Sequence, residues 1–293
     1  MLVNEAMRLR SLLFVPGDRP DRFAKAATSG ADAVILDLED SVAPERKTLA
    51  RSAVRDWLGG GDRAVPCLVR INPLGTSEIA ADLTALAVTA ADGIVLPKSL
   101  GATSVDALLG LAGRSCPPIL PICAETPAAV FSVGDHGRAA ERLVGLTWGA
   151  EDLSAILGTE SRDPGDGSLI APLEIARALM LFAAHAASVP AIETVFPDIA
   201  DEAGLVRFVA RARGHGFAGM LAIHPAQVAV INRGFSPSDV KIEAARAIVD
   251  AFAASPGAGA LRLNGRMVDQ PHLALARALL ARAGIGDQSR ERG

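Results

Sequence analysis

The chain of 293 residues is poor in the residue types that announce many functions. It has three cysteines, Cys67, Cys116 and Cys123. No two of them stand at a metal-ligand or redox spacing, so they read as small buried hydrophobes of a reduced cytoplasmic protein. The five histidines are scattered, with no H-x3-H pair, which sets a zinc site aside. Net charge is −4, with no long run of one sign and no basic surface of the kind that binds nucleic acid. No apolar run reaches the roughly 20 residues needed to span a bilayer. The first residues, "MLVNEAMRLRSLLFVPG", place two arginines before a short apolar run. No small-residue cleavage site follows, so the run reads as a first strand rather than an export signal. No G-x-G-x-x-G follows that strand, which argues against dinucleotide binding.

What the sequence does have is hydrophobicity, 50% of residues against 21% charged, and a regular alternation. Strands are expected at 9–16, 33–40, 65–72, 93–98, 118–125, 143–150, 191–195 and 219–225. Near-continuous Val, Ile and Leu runs of this kind fit a parallel sheet covered on both faces. Between them lie helical segments such as "PDRFAKAATSG" and "PERKTLARSAVRDWLGGG", which begin at proline and stop at glycine. Eight such units in series point to a (β/α)8 TIM barrel over 1–235, with a doubly wound open sheet as the rival. Two further helices, at 237–254 and 271–284, imply a C-terminal helical extension or lid over 236–293, with a hinge at 255–260.

In a barrel of this type the chemistry lies at the C-terminal strand ends. Strand two delivers Asp37, Glu39 and Asp40, strand three Arg70 and Asn72, strand four Lys98 and strand five Glu125. Strand six is followed by Glu151 and Asp152, and strand eight contains His224. Several acids with few bases suit a hard divalent cation, since Mg2+ takes one or two protein carboxylates and completes its octahedron with water and substrate oxygens. Glu125 and Asp152 are the natural ligands, and Glu39 and Asp40 candidates to hold metal-bound water. Bland readings stand beside these. Arg70 is as well suited to neutralising Asp37 or Glu39 as to holding substrate. His224 also reads as a hydrogen-bonded core histidine. Lys98 is either a strut for the acids or the Schiff-base lysine of a metal-free aldolase.

The segments "RSLLFVPGDRPDRFAKA", "ADAVILDLEDSVAPERKTLAR", "VRINPLGT", "GIVLPK", "ICAET", "LTWGAEDLSAILG", "GFAGMLAIHPAQV" and "NGRMVDQPH" follow one another from about Arg10 to Leu280. In that order they closely resemble the citrate lyase beta-subunit-like family of the HpcH/HpaI aldolase superfamily, relatives of the malyl-CoA and citramalyl-CoA lyases. The resemblance implies a TIM barrel, Mg2+ (with Mn2+ as a substitute) and a CoA thioester substrate. By position it assigns Glu125 and Asp152 to the metal and Arg70 to the substrate. Phe14, Arg19, Lys25, Ile223 and His224 match positions that contact substrate or CoA. Asp269 matches a catalytic aspartate on a lid that in relatives closes over a neighbouring subunit, so a homo-oligomer, a trimer or a multiple of it, is implied. Departures occur at Met220, at Asn264-Gly265 and at Glu193, where relatives often carry Lys, an acidic residue before Gly, and Asp.

The resemblance implies cleavage or formation of a 3-hydroxyacyl-CoA, such as citramalyl-, malyl- or citryl-CoA, to acetyl-CoA and a 2-oxo acid, with thioesterase activity as a companion. Two other readings stay open: an aldolase of free 2-oxo acids, and a citrate lyase subunit acting on a carrier-protein thioester. Phe14 reads equally as an adenine-stacking face and as a core aromatic of the rim. Residues 159–168 read as a cover or a surface insertion.

Overall fold

A strand that is apolar on both faces is stable only if both faces are covered, and the chain meets that demand by wrapping helices around a parallel sheet. The computed structural model describes residues 7–61, 63–113, 115–163 and 167–285. It separates into two units, Met1–Arg233 and Gly234–Gly293.

In the first unit the order is β1 (Ser11–Pro16), α1 (Phe23–Ala27), β2 (Ala33–Asp37), α2 (Lys47–Leu58), β3 (Cys67–Arg70) and α3 (Ile79–Leu86). Then come β4 (Gly93–Leu96), α4 (Ala102–Ala112), β5 (Ile119–Cys123), α5 (Pro127–Ser132), a 3-10 segment (Val133–Arg142) and β6 (Thr147–Trp148). The unit continues with α6 (Ala150–Leu157), α7 (Ala171–Ala186), β7 (Ile192–Glu193), α8 (Glu202–His215), β8 (Gly219–Ala222) and α9 (Pro225–Phe235). All neighbouring pairs are parallel, in the spatial order β6-β5-β4-β3-β2-β1-β8-β7. The two ends of that row meet. Leu146 bridges Ala191 in parallel, with Leu146 N–H donating to Pro190 O at 2.9 Å and Ile192 N–H to Leu146 O at 2.8 Å. The sheet is therefore a closed eight-stranded barrel, and its seam lies between its two shortest strands. Leu12, Ile35, Leu68, Val95, Leu120, Ile192 and Leu221 fill its core.

The sequence reading overran several strands. The expected strand at 143–150 shrinks to two ladder residues plus bridges at Leu143 and Leu146, and 191–195 to Ile192–Glu193. The segment starting at Pro20 is a 3-10 turn followed by a five-residue helix. The loop after α6 is folded back on itself by an antiparallel bridge, Arg162 to Leu169.

The second unit contains α10 (Asp239–Ala253), β9 (Ala260–Leu263), β10 (Arg266–Asp269) and α11 (Gln270–Arg282). The two expected helices are present as α10 and α11, and the helical extension is corrected only between them, where β9 and β10 form an antiparallel hairpin. Asn264 and Gly265 both take positive φ (49° and 78°), the twist that a two-residue hairpin turn requires. Leu261, Leu263 and Val268 alternate inward against Phe252 and Leu273. Among the described residues no helix is long and apolar enough to cross a membrane.

Candidate active site

Register builds the first half of the site. β2 and β3 pair in parallel with Asp37 opposite Arg70, so the two side chains leave adjacent strand ends together. Arg70 Nε donates to Asp37 Oδ1 at 2.7 Å and Nη2 to Oδ2 at 2.6 Å, a bidentate fork. Its Nη1 lies 3.1 Å from Glu39 Oε2 and 3.5 Å from Asp40 Oδ2. Asp37 is 1% exposed, and burial alone would raise its carboxyl; Arg70, with help from Ser41 and the Glu39 amide, holds it below the usual carboxylate range. Burial likewise opposes the charge of Arg70, and Asp37 reverses that effect. Lys47 ties this strand end to the next, donating to Leu38 O at 2.6 Å, Glu39 O at 2.8 Å and Asn72 Oδ1 at 2.8 Å.

Lys98 joins the two halves. Its Nζ donates to Glu39 Oε1 at 2.7 Å and stands 3.5 Å from Asp152 Oδ1, while its backbone N–H donates to Glu125 Oε2. Burial disfavours its charge, and Glu39 outweighs burial, so the ammonium is held above its ordinary range. Lys98 and Ala124, neither of them glycine, adopt φ of 52° and 54°. Backbone held in this sparsely populated region clusters at functional sites. Glu125 is buried, and burial, aided by the charges of Asp152 and Glu39 and opposed by the Lys98 amide, pushes its carboxyl up to about 8. Glu39 is pushed up to about 7, again chiefly by burial, against the pull of Arg70 and Lys98. Asp152 lies in the first turn of α6, and the turn before it is tight. A Cβ on Gly149 would fall 2.6 Å from Glu125 Cγ.

These groups fit a divalent cation. Glu39 Oε2 is buried without a hydrogen bond, its contact with Arg70 being one of charge only. Burial makes the charge of Glu125 and Glu39 costly, and a cation beside them would offset that cost. Among the described residues no three His, Cys, Asp or Glu side chains are disposed to hold a metal. A pair of carboxylates such as Glu125 and Asp152 would be the sparse set that Mg2+ accepts, with water and substrate oxygens completing the shell. Gly149→Ala is expected to displace Glu125 and weaken Mg2+ binding on the order of tenfold. Calorimetric titration checks it, and an affinity equal to wild type would contradict this packing.

The other sequence-predicted residues fall in different places. Phe14 packs against the barrel core, and the Arg70 guanidinium sits over its ring at 4.8 Å. Arg19 pairs with Asp21 at 2.8 Å on the surface, and Lys25 is exposed on α1; no described contact links either to the acid network. Ile223 and His224 are exposed, their backbone N–H groups both donating to Gln227 Oε1. Asp269 belongs to the second unit, where it caps the start of α11 and pairs with His272, whose hydrogen bond lowers its carboxyl.

Sequence reasoning missed the supports. Gln227 is buried and also donates to Phe196 O at 2.8 Å, fixing the exit of β8. Glu193, noted only as a departure from Asp, accepts from Trp148 Nε1 at 2.7 Å across the seam and from Arg177 Nε at 2.6 Å. Next to it, Thr194 Oγ1 accepts from the Ala150 amide at 3.4 Å, holding the start of α6 and hence Asp152.

Comparison with known proteins bears on this geometry. The sequence profile of the HpcH/HpaI aldolase/citrate lyase family matches residues 10–225. A citrate lyase subunit beta-like protein of Mycobacterium tuberculosis is 41% identical over 272 residues, covering 93% of this chain and 94% of that protein. A (3S)-malyl-CoA thioesterase of Cereibacter sphaeroides is 34% identical over 287 residues, covering 96% and 97%. The crystal structure of protein CitE from M. tuberculosis in complex with magnesium, acetoacetate and coenzyme A superposes with a TM-score of 0.79. It is 40% identical, and the match covers 94% of this chain and 98% of that one.

Proposed function

This chain belongs to the HpcH/HpaI aldolase/citrate lyase family, and we propose that it works as a Mg2+-dependent carbon–carbon lyase on a 3-hydroxyacyl-CoA thioester. The observation that carries the reading is the convergence of Glu125, Asp152, Lys98 and Arg70 at one end of the barrel. It stands on a chain aligned over nine-tenths of its length with a relative crystallised with magnesium, acetoacetate and coenzyme A.

Glu125 and Asp152 would hold the metal, which when bound supplies a Lewis acid for the oxygen that becomes a carbonyl. Cleavage removes the proton of the C3 hydroxyl and breaks the C2–C3 bond. The electron pair moves onto the thioester as an enolate, and a proton returns to C2. Arg70, already oriented by Asp37, presents fixed donors to a substrate carboxylate or oxyanion without reorganising. Lys98 aligns Glu39 and favours its charge against the effect of burial. We assign the proton at C2 to Asp269: His272 keeps its carboxyl ionised and ready to accept in the synthetic direction, and in cleavage the same carboxyl returns to C2 a proton it has taken up from solvent. Phe14, Arg19, Lys25, Ile223 and His224 are assigned to CoA and acyl contacts, the cations serving phosphates. Asp37, Glu39, Asp40 and Lys98 are supporting residues around the metal and Arg70.

Hydrolysis of the thioester is a second activity of the same site, favoured by the malyl-CoA thioesterase among the relatives. We also propose self-association as a trimer or multiple of it. α5, α6 and α7 pack together and expose Phe131 (92%), Ile156, Leu157, Ile175, Leu179 and Phe182 (68%), a patch of the kind that marks a protein interface. The buried free cysteines suit the reducing cytoplasm, where we place the protein.

The test is a screen of malyl-, citramalyl- and citryl-CoA with Mg2+, products identified by mass spectrometry. Acetyl-CoA plus a 2-oxo acid is expected. Pyruvate from free hydroxy-oxo acids would favour the CoA-free aldolase, and activity only on a carrier-protein thioester the citrate lyase subunit. Asp269→Asn is expected to lower turnover roughly a hundredfold or more, the range of acid–base catalysis. Unchanged turnover would remove Asp269 from the mechanism. A borohydride-trapped adduct at Lys98 would replace this mechanism with a Schiff base.

A further inference from the structure

Behind the two left-handed residues of the site lies a buried polar cluster that the proposed chemistry does not use. His136, on the 3-10 segment Val133–Arg142, is 0% exposed, as are Ser99 and Cys123. Its Nδ1 is 2.9 Å from Val133 O, and a carbonyl can only accept, so Nδ1 carries the proton. Burial lowers the affinity of the imidazole for a second proton; the nearest charge, Asp135, opposes this without reversing it. Nε2 is therefore a lone-pair acceptor, and Ser99 Oγ–H donates to it at 2.8 Å. Cys123 Sγ touches the same ring at 3.6 Å.

The chain positions of these partners give the cluster its meaning. Ser99 directly follows Lys98, and Cys123 directly precedes Ala124. One imidazole thus contacts the neighbours of Lys98 and Ala124, the two positive-φ residues at the exits of β4 and β5. The adjacent Asp135 accepts from the Ala102 amide at 3.0 Å and fastens the same β4 exit at a second point. An uncommon backbone conformation persists only where its surroundings impose it. Here the imposed turn aims the Lys98 amide at Glu125 and the Lys98 ammonium at Glu39 and Asp152.

We propose that His136 is a positioning residue for the cation site, acting through its hydrogen bond from Ser99 to hold Lys98 and Glu125 in register. The proposal rests on the reading of Glu125 and Asp152 as metal ligands. It is specific about the atom that matters, because glutamine can replace Nε2 as acceptor and asparagine can replace only Nδ1 as donor.

The experiment measures Mn2+ binding to the full-length protein by electron paramagnetic resonance of the free ion, with no turnover involved. Wild type, Ser99→Ala, His136→Gln and His136→Asn are compared, with circular dichroism to confirm folding. Ser99→Ala and His136→Asn are expected to bind on the order of tenfold more weakly, as for other residues that orient metal ligands, and His136→Gln to stay near wild type. Equal affinity in all four proteins overturns the proposal. Equal weakening in Gln and Asn also overturns it, since the ring would then act by filling space. A wild-type protein that binds no Mn2+ overturns the metal-site reading itself. Ser99→Ala removes a single oxygen and keeps the question answerable if a His136 variant fails to fold.

Discussion

Glu125→Gln is expected to lower kcat/KM for the hydroxyacyl-CoA about a thousandfold, equivalent to roughly 4 kcal/mol of lost transition-state stabilisation. The amide keeps the volume of a side chain that has no free space around it, and it removes the charge that a hard cation needs. Asp152→Asn should follow the same course, and a variant of either that keeps its Mg2+-dependent activity would refute the metal assignment. The raised carboxyls add a pH signature. Without metal, Glu125 holds its proton to about 8 and Glu39 to about 7, against 4.5 for a free side chain. The folded metal-free protein thus binds more protons than the unfolded chain between pH 4.5 and 8. Its stability should fall as pH rises through that window. Mg2+ must displace the Glu125 proton, so its affinity should climb over the same range. Thermal unfolding with and without Mg2+ across pH 5 to 9 would show two curves that diverge, and parallel curves would count against the site.

Arg70→Met carries the second large effect. The substitution leaves Asp37 buried and ionised beside no cation, and breaking a buried pair from one side destabilises by about 3–5 kcal/mol. Urea unfolding at pH 7 measures it. Asp37 is held below its free-chain value by Arg70, so the pair's contribution is present above pH 3.8 and disappears as pH falls through the lowered value. The deficit of Arg70→Met should therefore shrink under acid. Arg70→Lys retains a charge and forfeits the fork, so it should recover more stability than activity. A methionine variant as stable as wild type would mean that the fork adds nothing to the fold.

The barrel was legible because burial on both faces of a parallel strand leaves an unbroken apolar run, and β1 to β5 are such runs. The reading overruns β6 and β7 because the buried residues flanking them join their neighbours through isolated bridges rather than a continuous ladder. The hairpin at Ala260–Asp269 carries a readable signal, Leu261 and Leu263 alternating up to Asn264-Gly265, a pair whose departure from relatives hides its turn chemistry. At the site, Asp37, Arg70, Glu125 and Asp152 were visible because strand ends are fixed in sequence. His136, Arg177 and Gln227 were not, since each sits on a helix or 3-10 segment and finds its partners through the fold. No local pattern separates them from ordinary surface residues.

The seam of the barrel has one more consequence. Where the backbone ladder is shortest, an indole hydrogen bond crosses from Trp148 to Glu193. The chain has two tryptophans and no tyrosine, and the other indole, Trp57, lies on α2 edge-on to Phe23. With Trp57 changed to phenylalanine, all long-wavelength emission would come from the joint itself. A dry indole tied to a carboxylate emits differently from one that water has reached. The molecule therefore carries a built-in optical gauge of barrel closure, set two residues before the helix that bears Asp152.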